Sequence, residues 1–179
     1  GKTGCMTSLI QYFVLSNNIP IDNIYIITGL SDINWKKDTK TLEEAQQNKI
    51  KHIIKKLDLK PGQKVLDVGC GWGGLAFEIA KTNKCEVLGI SLSSNQIKYA
   101  QNKAKELNFD NQVKFEIMDY RDISGEYDRI VSCGAFEHFG RKFYKIFFNK
   151  MNQVMKDDGK FLLHTIGVVD KSSSPNKFI

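Results

Sequence analysis

From Thr41 onward the apolar residues switch repeatedly between a helical spacing and short continuous runs. Thr41-Leu42-Glu43-Glu44 reads as a capping box, in which a threonine hydroxyl and a glutamate three residues on satisfy backbone N–H groups at a helix start. Ala45, Ile50, Ile53, Ile54 and Leu57 then give one apolar helix face, and Pro61-Gly62 stops it. Lys64–Val68 is a short strand of the buried type that runs into a glycine turn, followed by a helix carrying Leu75, Ala76, Ile79 and Ala80. A second strand spans 85–90. Ser93-Ser94-Asn95-Gln96 opens a helix with Ile97, Ala100, Ala104 and Leu107 on one side. Val113–Ile117 is a third strand and 129–132 a fourth; Phe143, Phe147, Met151 and Val154 stripe another helix, and 161–165 is a fifth strand. Strands alternating with helices in this way form βαβ units, because parallel neighbours need a crossover between them. The expected fold is α/β, with a Rossmann-like, doubly wound, mostly parallel sheet.

The first of these strands leads into the most informative stretch, Val65-Leu66-Asp67-Val68-Gly69-Cys70-Gly71-Trp72-Gly73-Gly74. Glycines at 69 and 71 permit a sharp strand-to-helix turn and let a ligand approach bare backbone. Gly69, Gly71 and Gly74 satisfy GxGxxG, which alone does not choose between ligands. Asp67 sits two residues before the first glycine, where a carboxylate attracts a cationic ligand and repels a pyrophosphate. A dinucleotide also wants an acid about 20 residues on, at the end of the second strand. Here that strand ends Gly89-Ile90-Ser91-Leu92, without one. S-adenosylmethionine, with its sulfonium and amino group, fits these residues better than NAD. Each site residue also has a plainer reading. Asp67 can also be a helix-dipole or turn residue, although the ligand role is the one expected of it; Gln96 serves as readily as the third position of a capping box after Ser93, and Asp119 as a surface turn residue or as a partner of an adenine amino group.

Composition narrows the setting. A chain of 179 residues is one domain on the usual scale of ~100–200. With 41% apolar and 26% charged residues, wholesale disorder is excluded. No run approaches the ~18–20 apolar residues of a membrane span. Residues 9–15 are cut by Gln11 and lack a small-residue cleavage site, which argues against a signal peptide. The four cysteines form no CxxC pair, so neither a metal site nor a disulfide framework is expected, and a reducing, cytoplasmic setting is. The net charge of +6 comes from scattered lysines and only three arginines, Arg121, Arg129 and Arg141, so no nucleic-acid partner is expected.

Residues 1–38 stand apart. Gly1-Lys2-Thr3, an apolar helix and a strand at Ile24–Thr28 resemble the end of a P-loop, and equally a lysine-bearing helix start. The expected division is therefore an unmatched segment at 1–38 and an α/β core at 39–179.

The core carries a family resemblance. TLEEAQ (41–46), LDVGCGWGG (66–74), GISLSSNQ (89–96), DYRD (119–122), YDRIVSCGAFEHFG (127–140) and FLLHTIG (161–167) resemble the cyclopropane-fatty-acid synthases, including the mycolic acid cyclopropane synthases. The resemblance implies a methyltransferase-type sheet and S-adenosylmethionine-dependent addition of a one-carbon unit to the double bond of an unsaturated fatty-acyl phospholipid. It implies an enzyme peripheral to a membrane, with Gly69 and Gly71 cradling the cofactor, Ser91 and Gln96 near its ribose, and Asp119 and Tyr120 near its adenine. It further implies a bicarbonate ion acting as base, held by Glu137, His164 and the backbone of Ile166. On the residues alone, Glu137-His138 is as readily a buried hydrogen-bonded pair, and His164 a satisfied core histidine. Phe136, Phe139 and Tyr144 are candidates to face a cationic carbon.

The sequence also departs from the family. A cysteine that helps hold bicarbonate falls on Asp32 or Ile33 here, and the family's later strands and a distal tyrosine have no counterpart after 167. With Gly1 at the start and Ile179 inside an unfinished turn, the expectation is a fragment or a fusion, truncated after the fifth strand. Such a chain would bind cofactor, turn over slowly, and expose the fifth strand as an open edge. The alternatives are a methyltransferase for another small or lipid substrate, or a P-loop piece joined to an inactive remnant.

Overall fold

The computed structural model describes residues 41–165 and the backbone of 24–28. The expectations on Gly1-Lys2-Thr3, on Asp32 or Ile33, on Ile166 and on the tail after it lie outside the described residues. Among the described residues, six strands and four α-helices follow in the order β1 (Ile24–Thr28), α1 (Leu42–Leu57), β2 (Lys64–Val68), α2 (Gly74–Asn83), β3 (Glu86–Ser91), α3 (Ser94–Glu106), β4 (Val113–Ile117), β5 (Tyr127–Cys133), α4 (Tyr144–Val154) and β6 (Met155–Thr165). The strands form one sheet, ordered β1-β6-β5-β2-β3-β4, and every neighbouring pair is parallel.

The sequence signals act locally as the capping chemistry demands. Thr41 is extended, and its hydroxyl accepts from the Glu44 N–H at 3.1 Å; Ser93 does the same for Gln96 at 3.4 Å. Alternation along the strands then sorts residues between two layers. Val65, Val131 and Leu162 pack with Ile53 and Leu57 of α1, Ile79 of α2 and Ile97 of α3. Their neighbours Leu66, Ile130, Phe161 and Leu163 pack on the other face against Phe147, Phe148 and Met151 of α4. Helices therefore cover both faces, which is why the central strands read as unbroken apolar runs.

One expectation fails at the sheet's margin. The fifth strand of the core, β6, is no open edge: β1 lies beside it in parallel register, Ile24 opposite Phe161 through Thr28 opposite Thr165. A strand from the segment that looked foreign supplies the missing hydrogen-bonding partner. β6 also begins earlier than its apolar run, at Met155, and meets β5 through a register shift between Tyr127 and Arg129.

Candidate active site at the carboxyl edge of the sheet

From β2 the chain steps outward to β3 and β4, then returns to lay β5 on the other side of β2. Loops leaving β2 and β5 diverge at that switch point, which opens a crevice at the carboxyl ends of the strands. A cavity of about 520 Å³ lies there, within the range of small-molecule sites. Its walls hold Gly69, Gly71, Ser91, Gln96, Asp119 and Tyr120, six of the seven residues expected to meet a cofactor.

The glycine turn is built as its sequence requires. Gly69 and Gly71 have φ of 81° and 56°, the left-handed region that favours glycine. A Cβ on Gly69 would collide with Cβ of Ala135, whereas one on Gly71 would meet open space. Gly69 thus makes room for the β5 loop, and Gly71 leaves bare backbone facing the cavity. The N–H groups of Gly69 and Cys70 both donate to the Ile90 carbonyl, at 2.9 and 3.0 Å, which ties the turn to β3.

On the next wall the Ser91 hydroxyl donates to Oε1 of Gln96 at 3.0 Å and accepts from the Ser93 N–H at 3.2 Å. Both readings of Gln96 hold together: its backbone N–H completes the helix cap while its side chain reaches the cavity wall. Asp119 is engaged as a turn residue. Its carboxylate accepts from the Arg121 backbone N–H and Nε, each at 2.9 Å, and from Nη2 at 2.7 Å. Those bonds, the ones from the Arg121 side chain foremost, hold the pKa of its carboxyl below the usual carboxylate range. The Tyr120 ring beside it is backed by Phe139 at 4.9 Å and Phe147 at 5.3 Å.

Asp67 is the exception. It is 2% exposed and stands behind the glycine turn rather than on the cavity wall. Its Oδ2 is buried without a hydrogen-bond partner among the described residues, and burial pushes its carboxyl up to about 7.

The two other described site residues come together on the far side of β5. Glu137 lies in the short 3₁₀ turn Phe136–His138, and His164 stands in register opposite Cys133. The His164 carbonyl accepts from the Gly134 N–H at 3.0 Å. Its imidazole is half-buried, with Nδ1 buried and unpartnered among the described residues. Burial foremost, and then the Lys49 charge, lower its proton affinity, against an opposing pull from Glu137. These influences favour the neutral ring. Burial likewise pushes the Cys133 thiol up to about 11 and the Cys70 thiol up to about 12, so neither is a nucleophile.

The three aromatic candidates separate. Phe136 is 1% exposed and stacks on Tyr144 with ring centroids 4.2 Å apart, a core contact. Phe139 lines the cavity, as do His138, Leu92 and Met118, which sequence reasoning passed over. Leu92 and Met118 each follow the last residue of a strand, a position that the carboxyl-end rule could have flagged.

The sequence profile described as mycolic acid cyclopropane synthetase matches residues 30–179. The cyclopropane-fatty-acyl-phospholipid synthase of Escherichia coli strain K12 is 48% identical over 133 residues, covering 74% of this chain and 34% of that protein. Among solved structures, the cyclopropane synthase MmaA2 from Mycobacterium tuberculosis aligns at 37% identity with a TM-score of 0.70, covering 74% of this chain and 46% of that one. The mycolic acid cyclopropane synthase CmaA1, solved with SAH and CTAB, aligns at 36% identity and a TM-score of 0.69, over 73% of this chain and 46% of its own. This chain thus spans between a third and a half of the length of these relatives. A profile match running through the glycine turn, the GAFEHFG loop and β6, on a sheet that superposes with two synthase structures, makes the chain a member of the mycolic acid cyclopropane synthetase family.

Proposed function

We propose that the chain carries the cofactor-binding core of an enzyme that transfers one carbon from S-adenosylmethionine to the double bond of an unsaturated fatty-acyl phospholipid, closing a cyclopropane ring. One observation carries the reading: a cavity walled by Gly69, Gly71, Ser91, Gln96, Asp119 and Tyr120 lies beside the Glu137–His164 pair, in a member of this family. A related structure is solved with SAH, and the E. coli relative is named for phospholipid cyclopropanation.

The residues present fit the cofactor. Oδ2 of Asp67, buried and without a hydrogen-bond partner among the described residues, is an acceptor that a ligand's ammonium group would satisfy from across the glycine turn. Gly71 gives the methionine end its approach. Ser91 and Gln96 offer hydroxyl and amide groups to a ribose, and Tyr120, braced by Phe139 and Phe147, offers a flat face to adenine. When bound, S-adenosylmethionine supplies a methyl group on a positively charged sulfur, electrophilic enough for an alkene. The walls hold the two reactants in line and exclude water. The Phe139 ring at the cavity wall stabilises positive charge on the lipid carbon.

His164 fits a small anion, since its buried Nδ1 is unpartnered among the described residues. With Glu137 it would hold bicarbonate, which supplies a base close to the methyl carbon. In this reading residues 39–179 are the methyltransferase core and the preceding segment lends the edge strand β1. The substrate chains lie in a bilayer, so the protein works at a membrane surface from the cytoplasm. Among the described residues no helix is long and apolar enough to cross a membrane.

Side-by-side calorimetric titration with S-adenosylmethionine, NAD and ATP tests the cofactor. Incubation with vesicles of unsaturated phospholipid, analysed for ring, methyl and hydroxyl products, tests the reaction. Equal binding of NAD, or products unchanged by omitting S-adenosylmethionine, would refute the proposal.

A further inference from the structure

The buried residues of α1 are Ala45, Ile53 and Leu57. Steps of four residues join them through position 49, because side chains at i and i+4 share a helix face. The stripe is therefore alanine, lysine, isoleucine and leucine. Lys49, half-buried, is its one polar member. An ammonium on a packed stripe is costly unless its stem runs along the apolar surface and its head reaches a polar group.

The fold shows what the head can reach. The C-terminal end of α1 meets the strands near their starts, where Leu57 accepts from Arg129 Nε at 2.7 Å and Asp58 pairs with Lys160 at 2.8 Å. The helix runs opposite to the strands, so Lys49 lies toward their carboxyl ends. There, alternation turns Asp67, Cys133 and His164 to the α1 side, each two residues past Val65, Val131 and Leu162, which pack with Ile53 and Leu57. Lys49 acts electrostatically on two of the three, Cys133 and His164, and Glu137 acts on the same two from the turn after β5.

This arrangement answers a question of charge. Of the charged groups that act on His164, Glu137 is the carboxylate and Lys49 the cation, so a bicarbonate ion placed between Glu137 and His164 has Lys49 as its nearby positive charge. We propose that Lys49 supplies the positive charge that lets a small oxyanion settle between Glu137 and His164. The inference rests on the anion-site reading above. Bicarbonate and Glu137 together carry two negative charges, and Lys49 offsets one of them. Lysine also suits the role as a compact point charge on a long stem, with three donors to share.

The test is binding of bicarbonate to the full chain, followed by ¹³C NMR with labelled bicarbonate and by calorimetry, for the wild type, K49Q, K49R and E137Q. K49Q should weaken bicarbonate about tenfold or more, as loss of a charge-assisted contact does, and K49R should recover most of it. S-adenosylmethionine binding should stay unchanged in both, which separates this effect from misfolding. The proton resonances of His164 should titrate at higher pH in K49Q than in the wild type. Wild-type affinity in K49Q, or an unmoved His164 titration, overturns the role of Lys49 while leaving the anion site standing if E137Q alters binding. No bicarbonate binding by the wild type overturns the anion-site reading and this inference with it.

Discussion

Arg129 and Leu57 are 72 positions apart in sequence, and the guanidinium Nε of one donates to the carbonyl of the other at 2.7 Å. The same buried side chain, 4% exposed, donates to the Asp128 carbonyl at 2.7 Å and to the Asp58 carbonyl at 3.3 Å. Leu57 is the last residue of α1, so Arg129 satisfies carbonyls that a helix end leaves orphaned and locks α1 to β5. R129M would keep the stem and leave those carbonyls unpaired. It should lower stability by about 2–4 kcal/mol, read as a lower denaturation midpoint with an unchanged slope. A shift smaller than the scatter between replicates would show that the interaction is replaceable by water.

The partnering of β6 by β1 makes a second expectation. Proline cannot donate to a strand ladder, and adjacent residues in a parallel strand direct their N–H groups to opposite sides. The pair I26P/I27P therefore removes at least one donor facing β6, opposite Leu163 and His164. An uncovered apolar edge pairs with other chains. Light scattering should show concentration-dependent association of the variant where the parent shows less. Identical profiles would mean that β1 contributes little to covering the edge.

Most of the sheet was legible because each strand is both apolar and bounded by turn residues. Val113–Ile117 falls on its expected bounds, and the ends of the second and fourth strands lie within two residues of theirs. β6 was read from its apolar half alone, since Met155-Lys156-Asp157-Asp158-Gly159 carries no strand pattern and is paired through tertiary context. The glycine turn announced a cavity, and six residues named from motif and resemblance line it. Three things were not legible. Whether a carboxylate at Asp67 faces the ligand or the layer behind it depends on strand phase, which fixes a face only once the sheet is assembled. The engagement of Asp119 by Arg121, two residues away, is a rotamer choice. The electrostatic influence of Lys49 on His164 joins residues more than a hundred positions apart, and no local period encodes it.

Asp67 gives a pH dependence of definite sign. Its carboxyl is at about 7 in the folded chain, against ~3.9 in an unfolded one. The folded state holds the proton more tightly, so this group's contribution to stability is complete below about pH 4 and lost as the pH rises through 7, at up to about 1.4 kcal/mol per unit. The free protein should be less stable at pH 8 than at pH 5, and D67N should flatten that slope in denaturant titrations. A ligand ammonium favours the ionised form, so S-adenosylmethionine affinity should rise with pH through about 7 in the parent. D67N should bind more weakly and without that rise. A parent whose affinity is flat across this range would separate Asp67 from the cofactor.

Glu137 and His164 are the residues on which turnover should depend most, and on which cofactor binding should depend least. Neither lines the cavity that holds Ser91, Gln96, Asp119 and Tyr120, and the Glu137 charge acts on His164 across the carboxyl ends of β5 and β6. E137Q keeps size and hydrogen-bonding reach but removes the charge that draws the proton on a bound acid. If the pair positions a base, E137Q should lower turnover on unsaturated phospholipid by roughly 10²–10⁴, the usual contribution of a general base. Its S-adenosylmethionine affinity should stay within experimental error of the parent. A base that is absent or misplaced leaves the methylated lipid carbocation to be trapped by water or to lose a proton elsewhere. The residual products of E137Q should therefore shift from ring toward hydroxylated and methyl-branched lipid, resolved by gas chromatography of the acyl chains. Ring formation at the parent's rate and purity would show that the proton leaves by another route, and that Glu137 is only a packing residue beside His164.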